Sequence, residues 1–493
     1  MEMTSKKEQK NELKRTLTAR HMNMIAIGGS VGTGLFFASG SAISTAGPGG
    51  ALLAYIITGI LVYVLMMSLG EMSTLLPISG SFETYATRFV DPALGFTLGW
   101  NYWFSWSICV ASELVAGSLI VKFWFPHTNT TIWSIGFLLV IFILNILSAK
   151  AYGESEYWFS SIKVVTIIIF IIVGVLMIFG IMGNDSPGFK NWVISGNGSR
   201  APFVGGIAAI INVFLVAGFS FSGTEIVGLA AGETENLEEN VPKAIKSVFW
   251  RILLFYICAI IIIGFLVPFN DKNLLKSGVN NIAYSPFTMV FAKCGIAFAA
   301  SAMNAVILTS VLSCGNSGLY VSSRMLYSLA KEGKAPKFLA KVNKQGVPMN
   351  ALYATTLVAS SAFLSSLIGE GKIYYVLYNA SGITALFAWL GIGICHYRFR
   401  KAYVAQGRDL KDLKFKAKFY PYGPIMAIVL CVVIIFGANI WIFQAPKFSW
   451  FDFISNYICI PIFIALYIAY KYIKKTKLVP LEECDFEYNG KDK

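Results

Sequence analysis

Two short runs of glycine and hydroxyl residues interrupt long apolar stretches of this chain, and at both of them backbone chemistry is on offer. The first, Gly28-Gly29-Ser30-Val31-Gly32-Thr33-Gly34, puts four glycines into seven residues. The second is Phe219-Ser220-Phe221-Ser222-Gly223-Thr224-Glu225. Glycine weakens a helix, and an unwound turn leaves amides and carbonyls that need other partners. The N-terminal end of a half-helix offers N–H groups and partial positive charge to a carboxylate. Unwound carbonyls and half-helix C-terminal ends offer acceptors to an ammonium. A site holding both suits an α-amino acid zwitterion. The plainer alternative for the first run is close helix packing, since Gly28 and Gly32 have small-xxx-small spacing. Packing alone does not account for the Ser and Thr interleaved with the glycines.

Three ionisable residues stand deep in apolar surroundings: Glu113, Lys163 and Glu225. Charge inside a bilayer costs at least about 2.5–3.5 kcal/mol per residue, so each needs a reason to be there. Lys163 reads either as an amine that gains and loses a proton or as a side chain snorkelling to the headgroups. Glu225 follows the second break directly. It reads as a substrate, gating or proton-relay carboxylate, against a structural hydrogen-bonded one. Glu113 is placed to meet a cationic substrate group, with a structural carboxylate as the equal alternative.

The elements that carry these residues follow from composition. The chain has 493 residues, 56% hydrophobic and 13% charged, with mean hydropathy +0.64. A soluble domain of this size needs far more polar surface, so the composition excludes soluble enzymes and makes nucleic acid an unsuitable partner. The lipid bilayer is the partner instead. A span takes about 20 mostly apolar residues, and twelve segments qualify: 22–46, 50–75, 97–122, 131–149, 158–182, 204–231, 249–269, 290–322, 351–369, 374–396, 424–444 and 452–472. With the N-terminus inside, 31 Lys and Arg fall on the inner side and 8 on the outer. That asymmetry places both termini in the cytoplasm of a multi-pass cell-membrane protein, and it accounts for the net charge of +14.

Spans 1 and 6 of twelve carry the breaks, and paired interrupted helices at corresponding positions point to a binding site at the bilayer midplane. The fold class read here is therefore an all-α integral membrane protein with twelve transmembrane helices. It comprises a 5+5 inverted repeat with discontinuous helices 1 and 6, plus two extra helices. The domains divide as a cytoplasmic segment 1–21, a first repeat 22–182, a second repeat 204–396, helices 11 and 12 over 424–472, and a cytoplasmic tail 473–493.

Several segments also carry a resemblance. GGSVGTGLF, FSFSGTE and GWNYWFSW (99–106), with GLAAGETEN (228–236), NSGLYVSSRMLYSLA (316–330) and HYRFRKAYVAQG (396–407), resemble the amino acid–polyamine–organocation transporters. Within them the similarity is to the bacterial amino acid permeases, over roughly residues 15–475. The resemblance implies the inverted-repeat fold and import of an amino acid together with a proton. It points to a cationic amino acid, lysine foremost, with histidine, arginine or an aromatic amino acid as alternatives. It places the substrate carboxylate on amides around Gly32, Thr33 and Gly34, and the α-ammonium near carbonyls of Ser30, Phe219, Ser222 and Gly223. Phe219 falls where some relatives have a gating tryptophan. Lys163 falls where sodium-coupled relatives hold their ion.

Other features exclude more than they suggest. The eight cysteines form no CxxC pair and seven lie in apolar stretches, so they read as small buried residues, neither zinc ligands nor a disulfide frame. His21, His127 and His396 are scattered, and no metal site or cofactor is expected. No nucleotide-binding or catalytic motif appears, so the chain is not expected to be an enzyme. Asn316 and Ser317 read as polar lining near Lys163 or as packing, and Tyr374, Tyr375 and Tyr378 as part of an outer gate. Glu233, Glu235, Glu238 and Glu239 read as a solvated loop or an inner gate beside Lys243 and Lys246. The tail beyond about 473 is polar and aperiodic and reads as disordered. The competing class is a membrane sensor that signals to a regulatory partner through its cytoplasmic loops; a channel is a third.

Overall fold

The computed structural model describes residues 17–28, 31–78, 80–183, 186–196, 199–230, 237–276, 285–296, 298–437, 440–443 and 446–487. The chain begins with helix α1 (Ala19–Gly28), and the single turn α2 (Thr33–Phe36) lies beyond the first break. Helix α3 (Ala38–Leu75) joins the end of the first predicted span to the whole of the second. It is kinked where Gly47 adopts φ +74° ahead of Pro48, which has no N–H to give the ladder. A short helix α4 (Phe82–Phe89) precedes α5 (Pro92–Val121). Helix α5 begins ahead of the span predicted from 97, because the Asp91 carboxylate accepts from the Ala93 amide and Pro92 occupies the first turn. Helices α6 (Thr130–Leu147) and α7 (Ala149–Ile178) follow, α6 capped by the Asn129 side chain and α7 by that of Ser148.

A small antiparallel hairpin pairs Ser195 with Arg200 and Gly196 with Ser199. It leads into α8 (Gly206–Phe221), the second break and α9 (Ile226–Ala230). Helix α10 (Leu237–Arg251) runs through a π-helical stretch, Ile252–Cys258, into α11 (Ala259–Leu266). Then come α12 (Pro286–Lys293), α13 (Ala299–Lys331), α14 (Met349–Ala359), α15 (Glu370–Ala405), α16 (Tyr422–Gly437), α17 (Trp450–Tyr457) and α18 (Cys459–Lys474).

Among the described residues, eight helices are long and apolar enough to cross a membrane, or nine if α17 and α18, bent by 45°, form one span. Met349–Leu364 and Tyr422–Gly437 are shorter apolar helices. Three predicted segments are corrected. The span expected at 290–322 is two helices, because the chain turns at Gly295 (φ +84°) between α12 and α13, and α13 runs on to Lys331. The segment 351–369 is not one regular α-helix: α14 ends at Ala359, the chain tightens into a 3₁₀ turn over Ser360–Leu364, and one more α-helical turn covers Ser365–Ile368. The tail is not disordered through residue 487. Phe486 is buried, with its ring 5.1 Å from that of Phe89 and 5.4 Å from that of Phe399, and Val479 N–H donates to Val90 O at 2.9 Å. Buried aromatic surface and clamps by Arg398 and Gln406 on tail carbonyls hold a segment whose polarity alone suggests no structure.

The burial pattern separates inner from outer helices. In their most apolar windows α5 is 89% buried and α13 72%, whereas α6 is 28% and α7 33%. Helices α5 and α13 pack on one another at the centre beside α3, α8 and α15. Helices α6 and α7 show the outside broad apolar faces, including Leu139, Ile143, Ile168 and Ile172, as lipid contact requires.

Candidate functional site

The two breaks meet. Gly34, in the single turn α2, lies against Ser220 near the end of α8, and the Ser220 hydroxyl donates to Gly34 O at 2.6 Å. A Cβ at Gly34 would stand 2.6 Å from Ser220 Cα, so only glycine permits this approach. Tyr55 Oη bonds the Ser220 hydroxyl at 2.9 Å, and Tyr256 Oη donates to Ser220 O at 2.8 Å. Tyr256 reaches that carbonyl from the π-helical stretch, a device that re-aims side chains within a helix. Ser220, Tyr55 and Tyr256 belong to this candidate site and were missed by sequence reasoning; only Ser220 carries a signal, its place in the second break.

At the start of α2, Thr33 is buried and Gly32 precedes it as the N-cap. The Glu113 carboxylate from α5 occupies this helix end. The Thr33 hydroxyl donates to Glu113 Oε1 at 2.8 Å, and the Thr33 amide lies 3.3 and 3.4 Å from the two carboxylate oxygens. A carboxylate therefore sits where the amides of a half-helix face the interior. Tyr374 faces the same group. Phe219 packs beside Gly34, its ring 4.3 Å from that of Tyr378, which stands 5.9 Å from that of Tyr374. The buried Tyr378 hydroxyl has no hydrogen-bond partner among the described residues. Ser30 lies outside the described residues.

The second break is closed on itself more fully. Ser222 caps α8 by donating its amide to Gly218 O and Phe219 O, and Gly223 takes φ +88°. The Glu225 carboxylate turns back onto this loop. It accepts from the Gly223 amide at 3.1 and 3.2 Å, from Tyr102 Oη at 3.1 Å and from Trp389 Nε1 at 3.1 Å. Four donor contacts from three elements compensate the burial of this charge. The geometry is that of a hub tying the break to α5 and α15.

Lys163 is fully buried within the protein on α7. Its Nζ lies 4.0 Å from Glu156 Oε1, and Glu113 and Cys314 are within its electrostatic reach. Glu156, equally buried, is hydrogen-bonded by Ser313 and by Asn316 Nδ2. Asn316 and Ser317 extend the network to Asn145 (2.8 Å) and Tyr152 (3.1 Å). Sequence reasoning missed Glu156, although its position two helical turns before Lys163 on one face was the available signal.

A separate polar cluster lies beyond the spans, between α4 and the end of α13. Lys334 pairs with Glu83 and, at 2.6 Å, with Glu332; Thr84 donates to Glu332 at 2.7 Å and to Glu83 at 3.1 Å. Burial, followed by the neighbouring Glu332 carboxylate, pushes the Glu83 carboxyl up to about 8 against the pull of Lys334. Burial draws Lys334 down, but the two carboxylates outweigh it and raise its pKa. Of the acidic loop residues, Glu233 and Glu235 lie outside the described residues, as does the Glu238 side chain. Glu239 forms an exposed pair with Lys243 at 3.1 Å.

Comparison with known proteins places this geometry. Residues 21–482 match the family described as amino acid permease. The chain is 53% identical to the lysine-specific permease LysP of Escherichia coli (strain K12) over 97% of both chains. It is 50% identical to the lysine-specific permease LysP of Lactococcus lactis subsp. cremoris, over 98% of this chain and 95% of that protein. It is 49% identical to the histidine permease HisP of the same organism, over 97% and 99%. Among solved structures, a mutant manganese transporter of Eremococcus coleocola shares the fold with TM-score 0.52 at 12% identity, covering 92% of this chain and 94% of that one.

Proposed function

Because the chain belongs to the amino acid permease family, we propose that it imports a cationic amino acid, L-lysine, by proton symport with alternating access. The observation that carries this reading is the Glu113 carboxylate on the Thr33 amide. It supports a site in which the substrate carboxylate takes the amides of Thr33 and Gly34. That exchange frees Glu113 to pair with the substrate's cationic end. Phe219 and Tyr378 cover the site, and the Tyr378 hydroxyl supplies a further hydrogen bond. The α-ammonium takes carbonyls at the breaks, near Ser30 and Phe219, with Ser222 and Gly223 shaping the second loop. Glu225 keeps that loop's shape. Lys163, with Glu156 as its counter-ion, is the proton-coupling residue, since substrate and proton then bias one rearrangement of the same helices.

The frame proposed with it has twelve transmembrane helices in a 5+5 inverted repeat plus two, with both termini cytoplasmic. Helices discontinuous at matching positions support it.

The test is uptake of labelled lysine into proteoliposomes with unlabelled competitors. Excess lysine should abolish uptake while leucine and glutamate barely compete, and lysinamide, without the carboxylate, should compete poorly. Equal inhibition by histidine or tryptophan would reassign the substrate. Binding without flux would favour a sensor reporting to a membrane partner.

A further inference from the structure

The spacing of the cysteines predicts no metal ligation, yet the fold brings two of them to the carboxylate at the first break. Cys109 and Glu113 are four residues apart on α5 and therefore share a face. Cys314 meets them from α13. All three are buried, and their ligand atoms lie within 4.8 Å of one another. The backbone of the first break abuts the group. A Cβ on Gly32 would stand 2.8 Å from Glu113 Oε1 and 3.0 Å from Cys314 Sγ.

Two thiols and one carboxylate are a donor set for a soft or borderline divalent ion. With metal–sulfur bonds of about 2.3 Å and metal–oxygen bonds of about 2.0–2.2 Å, ligands on a tetrahedral ion stand roughly 3.5–4 Å apart. Rotation of the side chains by about an ångström closes the triad to that size. Three protein ligands leave one position open. Two thiolates and a carboxylate around a divalent ion carry one net negative charge, and Lys163 lies within electrostatic reach of both Glu113 and Cys314 to offset it.

We propose that Cys109, Glu113 and Cys314 form a binding site for a thiophilic divalent cation, Zn²⁺ or Cd²⁺, and that the ion and the amino acid exclude one another. Binding the ion takes two protons from the thiols and commits Glu113, so the carboxylate can no longer answer a substrate at Thr33. The exclusion rests on the substrate site proposed above; the binding of the ion does not.

The test uses the full chain in detergent, under a thiol-free reductant that keeps the two sulfurs from pairing. Cd²⁺ is titrated while the thiolate-to-cadmium charge-transfer absorption is followed in the ultraviolet. The band should saturate at one ion per chain and fall sharply in both Cys109→Ala and Cys314→Ala, each checked for folding by gel filtration. It should survive Cys431→Ala and Cys459→Ala. Saturating lysine should weaken apparent Cd²⁺ affinity at least tenfold, and Cd²⁺ should block lysine uptake into proteoliposomes until a chelator is added. Absence of the band, or its persistence in both site variants, overturns the metal site. A cysteine-dependent band with lysine uptake untouched overturns the exclusion. Wild-type protein that binds Cd²⁺ but takes up no lysine overturns the transport reading and leaves the metal site standing.

Discussion

Replacing Gly34 by alanine tests the contact between the two breaks with one methyl group. That carbon would sit 2.6 Å from Ser220 Cα, 3.1 Å from Ser220 N and 3.2 Å from Phe219 Cδ1. Carbon atoms rest about 3.5–4.0 Å apart, and two of these neighbours are backbone, so the breaks must part by about 1 Å. Overpacking of this kind costs roughly 1–3 kcal/mol. The same movement stretches the 2.6 Å bond from the Ser220 hydroxyl to Gly34 O beyond hydrogen-bonding range, which adds about 1 kcal/mol. The penalty of roughly 2–4 kcal/mol falls only on the conformation in which the breaks touch. If lysine binds that conformation, its affinity should fall from about 30-fold to several hundred-fold, at tenfold per 1.4 kcal/mol. Ser220→Ala adds no bulk but removes that hydrogen bond together with the one to Tyr55 Oη, and should cost about five- to thirtyfold. Gly136→Ala is the control, because no atom lies within 4 Å of its would-be Cβ. The assay is equilibrium binding of labelled lysine to purified protein whose thermal unfolding confirms the fold. A Gly34→Ala protein that binds within about threefold of wild type would refute the reasoning.

Lys163→Ala should abolish uptake driven by an imposed proton gradient while exchange of internal for external lysine partly survives; accumulation driven by protons alone in the variant would move the coupling elsewhere. Glu156→Gln leaves Lys163 buried beside a neutral partner and should lower stability by about 3–5 kcal/mol, read as a fall in melting temperature. Since the Glu83 carboxyl is raised to about 8, the folded state holds a proton that the unfolded state gives up between about pH 4.5 and 8. Stability from this group therefore falls as pH rises through that window, and melting curves of Glu83→Gln should lose that slope. Phe486→Ala should cost about 3 kcal/mol, because a buried ring leaves a cavity among Phe89, Phe399 and Tyr403; an unchanged melting temperature would mean that the tail contributes nothing.

Much of the scaffold was legible because its causes are local. Four glycines in seven residues announce a break, and long apolar runs announce the spans. What was not legible depends on contacts between distant parts of the chain. Lys163 is visible as a charge in an apolar run, but its burial follows from the packing of α7 against α13. Glu225 reads as a substrate, gating or proton-relay carboxylate, or as a structural one, because it follows a break. Only the fold shows it engaged by Gly223, Tyr102 and Trp389. Cys109 and Cys314 carry no spacing signal, since α5 and α13 are remote in sequence. The docked tail was missed because its hold comes from buried Cys484 and Phe486 and from Arg398 and Gln406 on its carbonyls, contacts with parts of the chain remote in sequence.

Away from the breaks, the segments that carry them are joined by main-chain groups. Beside the kink at Gly47, Val204 N–H donates to Ala46 O at 2.9 Å and Gly49 N–H donates to Pro202 O at 2.9 Å. Peptide groups are the same whatever side chain a position carries, so exchanging side chains at the candidate site leaves these main-chain contacts intact. On the function proposed above, selectivity can therefore be altered by side chains of α5 and α15 without loosening these contacts. A programme to retarget this carrier to a new amino acid should vary Glu113, Tyr374 and Tyr378 and leave Gly34, Gly47 and Ser220 alone.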